Sequence, residues 1–281
     1  MITGIIGLGL IGGSLAKSIK SKTPHRVLAS DIDTRTMAAA KNCGAFDEIL
    51  TSENISECDL LFLAVFPDNA VEYIKNHAEE ISSGTTVIDL CGVKRVVCSE
   101  ISKIAREHDF IFVGGHPMAG REKGGFENSK ADLFDGASMI LTPEKDLKTE
   151  VIEKLKVFFL ETGFGSVTLS TPEEHDRIIA YTSQLPHIIS SAYIKSPEAL
   201  KRRGFSAGSF RDMSRVSSMD EKLWTELFLH NRDFLTGQLE LIIKNLNDYL
   251  DALKKNDSEK LEKLIKESRK IKAQTMPESK S

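Results

Sequence analysis

Residues 4–19 read Gly-Ile-Ile-Gly-Leu-Gly-Leu-Ile-Gly-Gly-Ser-Leu-Ala-Lys-Ser-Ile: an apolar run, a glycine-rich turn and the opening of a helix. Gly7, Gly9 and Gly12 carry the G-x-G-x-x-G spacing. In such a turn the first glycine permits the tight bend, the second lets the backbone approach a pyrophosphate, and the third lets helix and strand pack closely. Leu10 and Ile11 then enter the helix, whose free N–H groups and positive dipole end suit phosphate. The next apolar run, Val27-Leu28-Ala29, leads to Asp31, roughly 20 residues past the last glycine, where a carboxylate accepts hydrogen bonds from a ribose. Three glycines alone describe any strand-to-helix turn. With the strand before, the helix after and the acid beyond, they describe a dinucleotide site. Asp31 would also repel a 2′-phosphate, so the expected cofactor is NAD rather than NADP, with Arg35 the nearby cation that opposes this.

The 281 residues allow two domains. A net charge of −4 gives no general attraction for nucleic acid or anionic membrane, so any anion site must be a local cluster of Arg, Lys and His. Cys43, Cys58, Cys91 and Cys98 form no C-x-x-C pair and no zinc-type spacing with histidine. They read as buried free thiols in a reducing compartment. No apolar run reaches the ~18 residues of a membrane span, and no basic leader precedes the first strand. The expectation is a cytoplasmic protein with neither membrane, nucleic-acid nor metal partner.

Strand-like runs at Ile2–Ile6, Val27–Ser30, Leu60–Val65, Thr86–Leu90, Phe110–Val113, Ser138–Leu141 and Ser166–Leu169 alternate with helical patterns. That order implies an α/β fold: a Rossmann-type, doubly wound, mostly parallel sheet over residues 1–170. Thr171-Pro172-Glu173-Glu174 starts a helix with a capping box, and strands then disappear, so residues 171–281 read as an all-helical substrate and dimerisation domain. Apolar residues from Trp224 to Leu253 recur at helical steps and predict one long amphipathic helix able to cover a second copy, hence a homodimer. Another helix is expected over 258–273, and disorder over 276–281.

Three constellations could carry chemistry. Gly114-Gly115-His116-Pro117-Met118-Ala119-Gly120 follows a strand, and in open α/β sheets ligands bind beyond the carboxyl ends of strands. His116 is therefore placed as a general base. Ser183 and His187 share a helix face at i and i+4, beside Pro186, which should kink that helix, while Gln184 reads as polar helix face. Arg211 and Arg215, after a Gly/Ser-rich lead, could grip carboxylates; with Asp212 beside Arg211, the segment reads equally as an intrahelical Arg–Asp surface pair. Lys94, after Asp89-Leu90-Cys91-Gly92-Val93, reads either as a crevice contact or as helix-start surface.

These motifs together resemble the prephenate dehydrogenase family, including its arogenate-using relatives. The resemblance runs from about Ile2 to Leu253 and is carried most specifically by His116-Pro117-Met118-Ala119-Gly120 and Ser183-Gln184-Leu185-Pro186-His187. It implies NAD-dependent oxidative decarboxylation of prephenate to 4-hydroxyphenylpyruvate in tyrosine synthesis. It also implies His116 as the base on the ring hydroxyl, Ser183 and His187 near substrate and nicotinamide, and Arg215 on a substrate carboxylate. Three positions depart from the pattern. Gly92 stands where the family often has a serine that orients the base, so another group or a water must do that. Gln184 stands where many relatives have His, and Arg121 where a small residue is common, which bears on prephenate against arogenate. A tyrosine-binding regulatory domain is not expected after Ser281. Two other classes share parts of the plan. A 3-hydroxyacid dehydrogenase relies on a lysine in its helical domain, and an NAD-sensing protein needs no base at a strand end.

Overall fold

The computed structural model describes residues 1–121 and 123–275. The expected disorder over 276–281 lies outside them. Among the described residues eight strands form one sheet, in the order β3-β2-β1-β4-β5-β6-β7-β8. They are β1 Ile2–Ile6, β2 Arg26–Ser30, β3 Glu48–Ile49, β4 Leu60–Leu63, β5 Thr86–Asp89, β6 Ile111–Pro117, β7 Ser138–Thr142 and β8 Ser166–Leu169. Every pairing is parallel except β6 with β7. The helices between them are α1 Leu10–Lys22, α2 Thr34–Asn42, α3 Pro67–His77, α4 Arg95–His108 and α5 Thr149–Glu161.

Strand residues alternate between two separate cores. Ile5, Phe62, Ile88 and Val113 join one, while Ile6, Leu61, Val87 and Phe112 join the other. Both faces are thus buried under helices, which is why these strands read as continuous apolar runs. The strand order reverses between β1 and β4, and a crevice at their carboxyl ends is the place where such sheets bind ligands.

β6 differs from expectation. The glycines at 114 and 115 suggest that pairing ends at Val113, yet it continues through Pro117, with His116 opposite Ile140 of the antiparallel neighbour. Those glycines serve packing rather than turning. A Cβ at Gly114 would lie 2.3 Å from Thr142 Oγ1, and one at Gly115 would lie 2.7 Å from the Asp89 carbonyl oxygen.

Beyond β8 the chain is helical: α6 Pro172–Ile179, α7 Leu185–Tyr193, α8 Gly208–Ser214, α9 Glu221–His230, α10 Arg232–Lys254 and α11 Ser258–Gln274. Two compact units result, Met1–Arg232 and Asp233–Ser281. The change from strands to helices follows Leu169, while the first unit runs on to Arg232.

Some local expectations are corrected by the structure. The capping box is half made: Thr171 Oγ1 accepts from Glu174 N at 3.2 Å, but the Glu174 carboxylate accepts from Ser170 Oγ instead. Pro186 is the second residue of α7, which directly follows a π turn over Ala180–Gln184, where the helical hydrogen-bond ladder changes its spacing. The single helix expected from Trp224 to Leu253 is two, α9 and α10, parted at Asn231. Asn231 is fully buried, and its carboxamide donates to the Asp176 carbonyl (2.8 Å) and to Gln184 Oε1 (2.9 Å) while accepting from Arg95 Nη2 (3.1 Å). These polar bonds, not the apolar period, set the break. Cys43 is exposed, against expectation. Cys58, Cys91 and Cys98 are buried, and burial pushes the Cys58 and Cys98 thiols up to about 12. Among the described residues no helix is long and apolar enough to cross a membrane.

The glycine turn generates a test. A Cβ on Gly12 would sit 1.9 Å from the Gly7 carbonyl oxygen, whereas one on Gly9 would meet nothing within 4 Å. Gly12→Ala should therefore destabilise the fold by about 1–3 kcal/mol or more. Gly9→Ala should leave the thermal midpoint close to wild type; circular dichroism melts compare the two.

Candidate active site

A cleft of about 640 Å³ opens at the carboxyl ends of β1, β4, β5 and β6. One wall is the glycine turn, with Gly9, Leu10 and Ile11 in the lining. Gly7 has φ +88°, in the left-handed region that favours glycine. The open space above Gly9 leaves room for a phosphate against the backbone, and the first turn of α1 holds no acidic residue to offset its positive end. The residues present therefore fit a dinucleotide. Asp31 is more engaged than the sequence suggests. Its two oxygens accept from Leu8 N at 2.6 Å and Asp33 N at 2.8 Å, so it braces the glycine turn. Each carboxylate oxygen keeps a further lone pair for a ribose hydroxyl.

His116 lines the same cleft from the end of β6. Its Nδ1 lies 2.8 Å from His175 Nε2, and His175 Nδ1 lies 2.8 Å from Asp176 Oδ1. His175 and Asp176 are buried in α6. Burial, then the cost of charging beside His175, then the Lys94 cation hold the His116 imidazole well below its ordinary value, so it is neutral at pH 7. Burial also lowers His175, against the pull of Asp176. Burial alone would raise the Asp176 carboxyl; bonds from His175 and from the Arg95 and Lys94 amides outweigh it and keep the carboxyl low.

On the other side of His116 is Gly92. A Cβ built there would lie 4.0 Å from His116 Nε2 and 3.3 Å from Leu227 Cδ2. His175 thus contacts Nδ1, the ring nitrogen opposite the one that a side chain at 92 would approach. Lys94 is neither a crevice contact nor a surface residue. It is fully buried and ion-paired with Asp89, whose charge overrides the burial penalty and holds the ammonium above its usual value.

The helical wall brings Ser183, Gln184, His187 and Arg215 to the cleft, and leaves Arg211 off it. His187 Nδ1 donates to the Ser183 carbonyl at 2.8 Å, and its ring stacks on Trp224 at 3.8 Å between centroids. Burial, with the Arg215 cation nearby, lowers its pKa although the Ser183 bond raises it. Gln184 is not polar helix face: it is buried and donates to the Leu227 carbonyl at 3.1 Å. Arg215 opens a 3-10 turn after α8. Arg121 also lines the cleft and donates to the Asn128 carbonyl at 3.3 Å.

Sequence reasoning missed His175, Asp176 and Asn231. The adjacent His-Asp pair, four residues into a capped helix, was the available signal, but nothing local reveals that it faces the end of β6.

Residues 15–168 match the family described as prephenate dehydrogenase, nucleotide-binding domain, and residues 171–267 match prephenate dehydrogenase, dimerization domain. The chain is 29% identical to the prephenate dehydrogenase of Bacillus subtilis over 271 residues, 93% of this chain and 72% of that one. It is 32% identical to the cyclohexadienyl dehydrogenase of Zymomonas mobilis over 279 residues, 95% of this chain and 93% of that one. The crystal structure of prephenate dehydrogenase from A. aeolicus in complex with hydroxyphenyl propionate and NAD+ superposes with a TM-score of 0.85 at 26% identity, covering 98% of each chain. A nucleotide-type glycine turn, a histidine at the end of β6 and a helical wall with Arg215 thus occur in a chain that belongs to the prephenate dehydrogenase family.

Proposed function

We propose that this chain catalyses the NAD-dependent oxidative decarboxylation of prephenate to 4-hydroxyphenylpyruvate, in tyrosine synthesis. The observation that carries the reading is His116: a neutral imidazole at the carboxyl end of a sheet strand, in the cleft that also holds the glycine turn. Gly7, Gly9, Gly12 and the first turn of α1 would hold the pyrophosphate, and Asp31 the ribose. When bound, the nicotinamide accepts the hydride that leaves ring carbon C4. His116 Nε2 removes the proton of the C4 hydroxyl. The C4 oxygen becomes first the carbonyl and then, on aromatisation, the phenol oxygen. The bond from C1 to the ring carboxylate breaks, CO2 departs, and its electron pair closes the aromatic ring. Arg215 would hold a carboxylate, and Ser183 and His187 would position the substrate against the cofactor.

Charge supports prephenate over arogenate. Arg121 and Arg215 face the cleft, and among its described lining residues Asp220 is the one acid. Two guanidiniums suit the dianion prephenate better than arogenate, whose side chain carries an ammonium. Asp220 is the feature that favours the second reading, since it could meet that ammonium. Arg35, the cation that could welcome a 2′-phosphate, is ion-paired with Asp33 at 3.4 Å, which supports NAD. A homodimer is supported by Leu246, Leu250 and Leu253 of α10, all exposed in the single chain, and by the dimerization-domain match. The buried free thiols support a reducing, cytoplasmic location.

The test is a panel of prephenate and arogenate, each with NAD and NADP, followed by reduced-nicotinamide absorbance. The highest kcat/KM should fall on prephenate with NAD; a preference for arogenate or for NADP would overturn that part of the reading.

His116→Asn should lower kcat by roughly 10²–10⁴-fold with little change in NAD affinity. Because the His116 pKa is lowered, the base stays unprotonated as pH falls through 6.5. The acid limb of kcat/KM should therefore lie below the ordinary histidine value.

Arg215→Ala should raise KM for prephenate roughly 10–150-fold, the loss of a charge-assisted hydrogen bond, and leave KM for NAD nearly unchanged. Arg211→Ala, off the cleft, should have little effect. The reverse pattern would exchange the two roles.

A further inference from the structure

We propose that Asp176 and His175 are positioning residues that fix the tautomer of His116, so that its Nε2 is the bare, proton-accepting nitrogen. Asp176 Oδ1 accepts from Lys94 N at 2.8 Å, and Oδ2 accepts from Arg95 N at 2.9 Å and Arg95 Nε at 3.3 Å. A carboxylate so surrounded by N–H donors is an acceptor only. His175 Nδ1, 2.8 Å from Oδ1, must therefore carry the hydrogen. A neutral imidazole has one N–H, so His175 Nε2 is a lone pair. That lone pair faces His116 Nδ1 at 2.8 Å, which must in turn donate. His116 is then left with an unprotonated Nε2. The alternative, in which His175 donates from both nitrogens, needs a buried imidazolium, which burial disfavours.

The chain also serves once the base has acted. A proton arriving at His116 Nε2 makes an imidazolium whose Nδ1–H points along two hydrogen bonds toward a buried carboxylate. Asp176 need not itself take a proton for this, and no other group changes charge. His175 is 2% exposed and Asp176 fully buried, so water does not compete for these bonds.

This inference concerns proton placement and stands apart from the substrate assigned above, on which only its kinetic arm rests. The first measurement is imidazole ¹⁵N NMR of the full chain at pH 7, without substrate or nucleotide. His116→Asn and His175→Gln spectra provide the assignments. His116 should show a protonated Nδ1 and a bare Nε2, and His175 likewise. A protonated His116 Nε2 in the wild type would overturn the proposal.

The second arm uses Asp176→Asn. Its carboxamide can donate to His175 Nδ1, which reverses both histidines and puts a hydrogen on His116 Nε2. Turnover should fall roughly 10²–10⁴-fold with KM for prephenate within about threefold of wild type, the pattern of a base held in the wrong tautomer. A folded Asp176→Asn chain that keeps both the wild-type tautomer and the wild-type kcat would overturn the proposal. If that variant does not fold, the wild-type spectrum decides alone. Should the wild type show the expected tautomer yet fail to turn over prephenate, the substrate assignment fails and the proton chain stands.

Discussion

The Asp176 carboxylate is the interaction on which the site depends. It sits in α6, after the sheet has ended, and receives the Lys94 and Arg95 amides at the start of α4. Those amides are orphan donors of a helix beginning, and a carboxylate there also meets the positive end of the helix dipole. One residue thereby caps a helix of the sheet layer, anchors α6 against it, and holds His175 toward the end of β6. Its own carbonyl receives Asn231, which carries the tie to the junction of α9 and α10. His116, its partner His175 and the helical wall are thus held by one buried polar network within the first compact unit. Such a network must be almost fully satisfied to persist in low dielectric, and the bonds of Asp176, His175, Gln184 and Asn231 meet that requirement.

Close approach is the second constraint. β6 brings His116 into the cleft because Gly114 and Gly115 let β5, β7 and α4 pack tightly about the strand. The buried Lys94–Asp89 ion pair lies beneath that point, and a Cβ at Gly114 would lie 3.2 Å from Lys94 Cδ. A buried pair of this kind is costly to break, since removing one partner strands the other charge. Its cation also disfavours a proton on His116. The same pair that holds the floor of the cleft therefore helps to keep His116 neutral.

The sheet was legible in the sequence because its strands are buried on both faces and read as apolar runs between helical patterns. The glycine turn was legible because each glycine answers a separate steric demand. His116 was found from its place after a strand, Ser183 and His187 from a shared helix face, and Arg215 from a Gly/Ser-rich lead together with the family resemblance; all four line one cleft. The proton chain was not legible. His175 and His116 stand 59 positions apart, and only the approach of α6 to the end of β6 makes them neighbours. The break at Asn231 was hidden for a related reason. Its apolar neighbours keep a helical period, and the polar bonds that stop the helix come from Arg95, Asp176 and Gln184, none of them local. Lys94 misled because a lysine at a helix start is ordinarily solvated; its burial depends on Asp89, five residues earlier, and on the absence of a side chain at Gly114.

The most direct measurement of this account is neutron diffraction from perdeuterated crystals of the chain near neutral pD, which places hydrogen isotopes on the imidazoles themselves. The account predicts deuterium on Nδ1 of both His116 and His175, none on Nε2 of either, and none on the Asp176 carboxylate. Deuterium on His116 Nε2 would contradict it, because that nitrogen could not then accept the substrate proton.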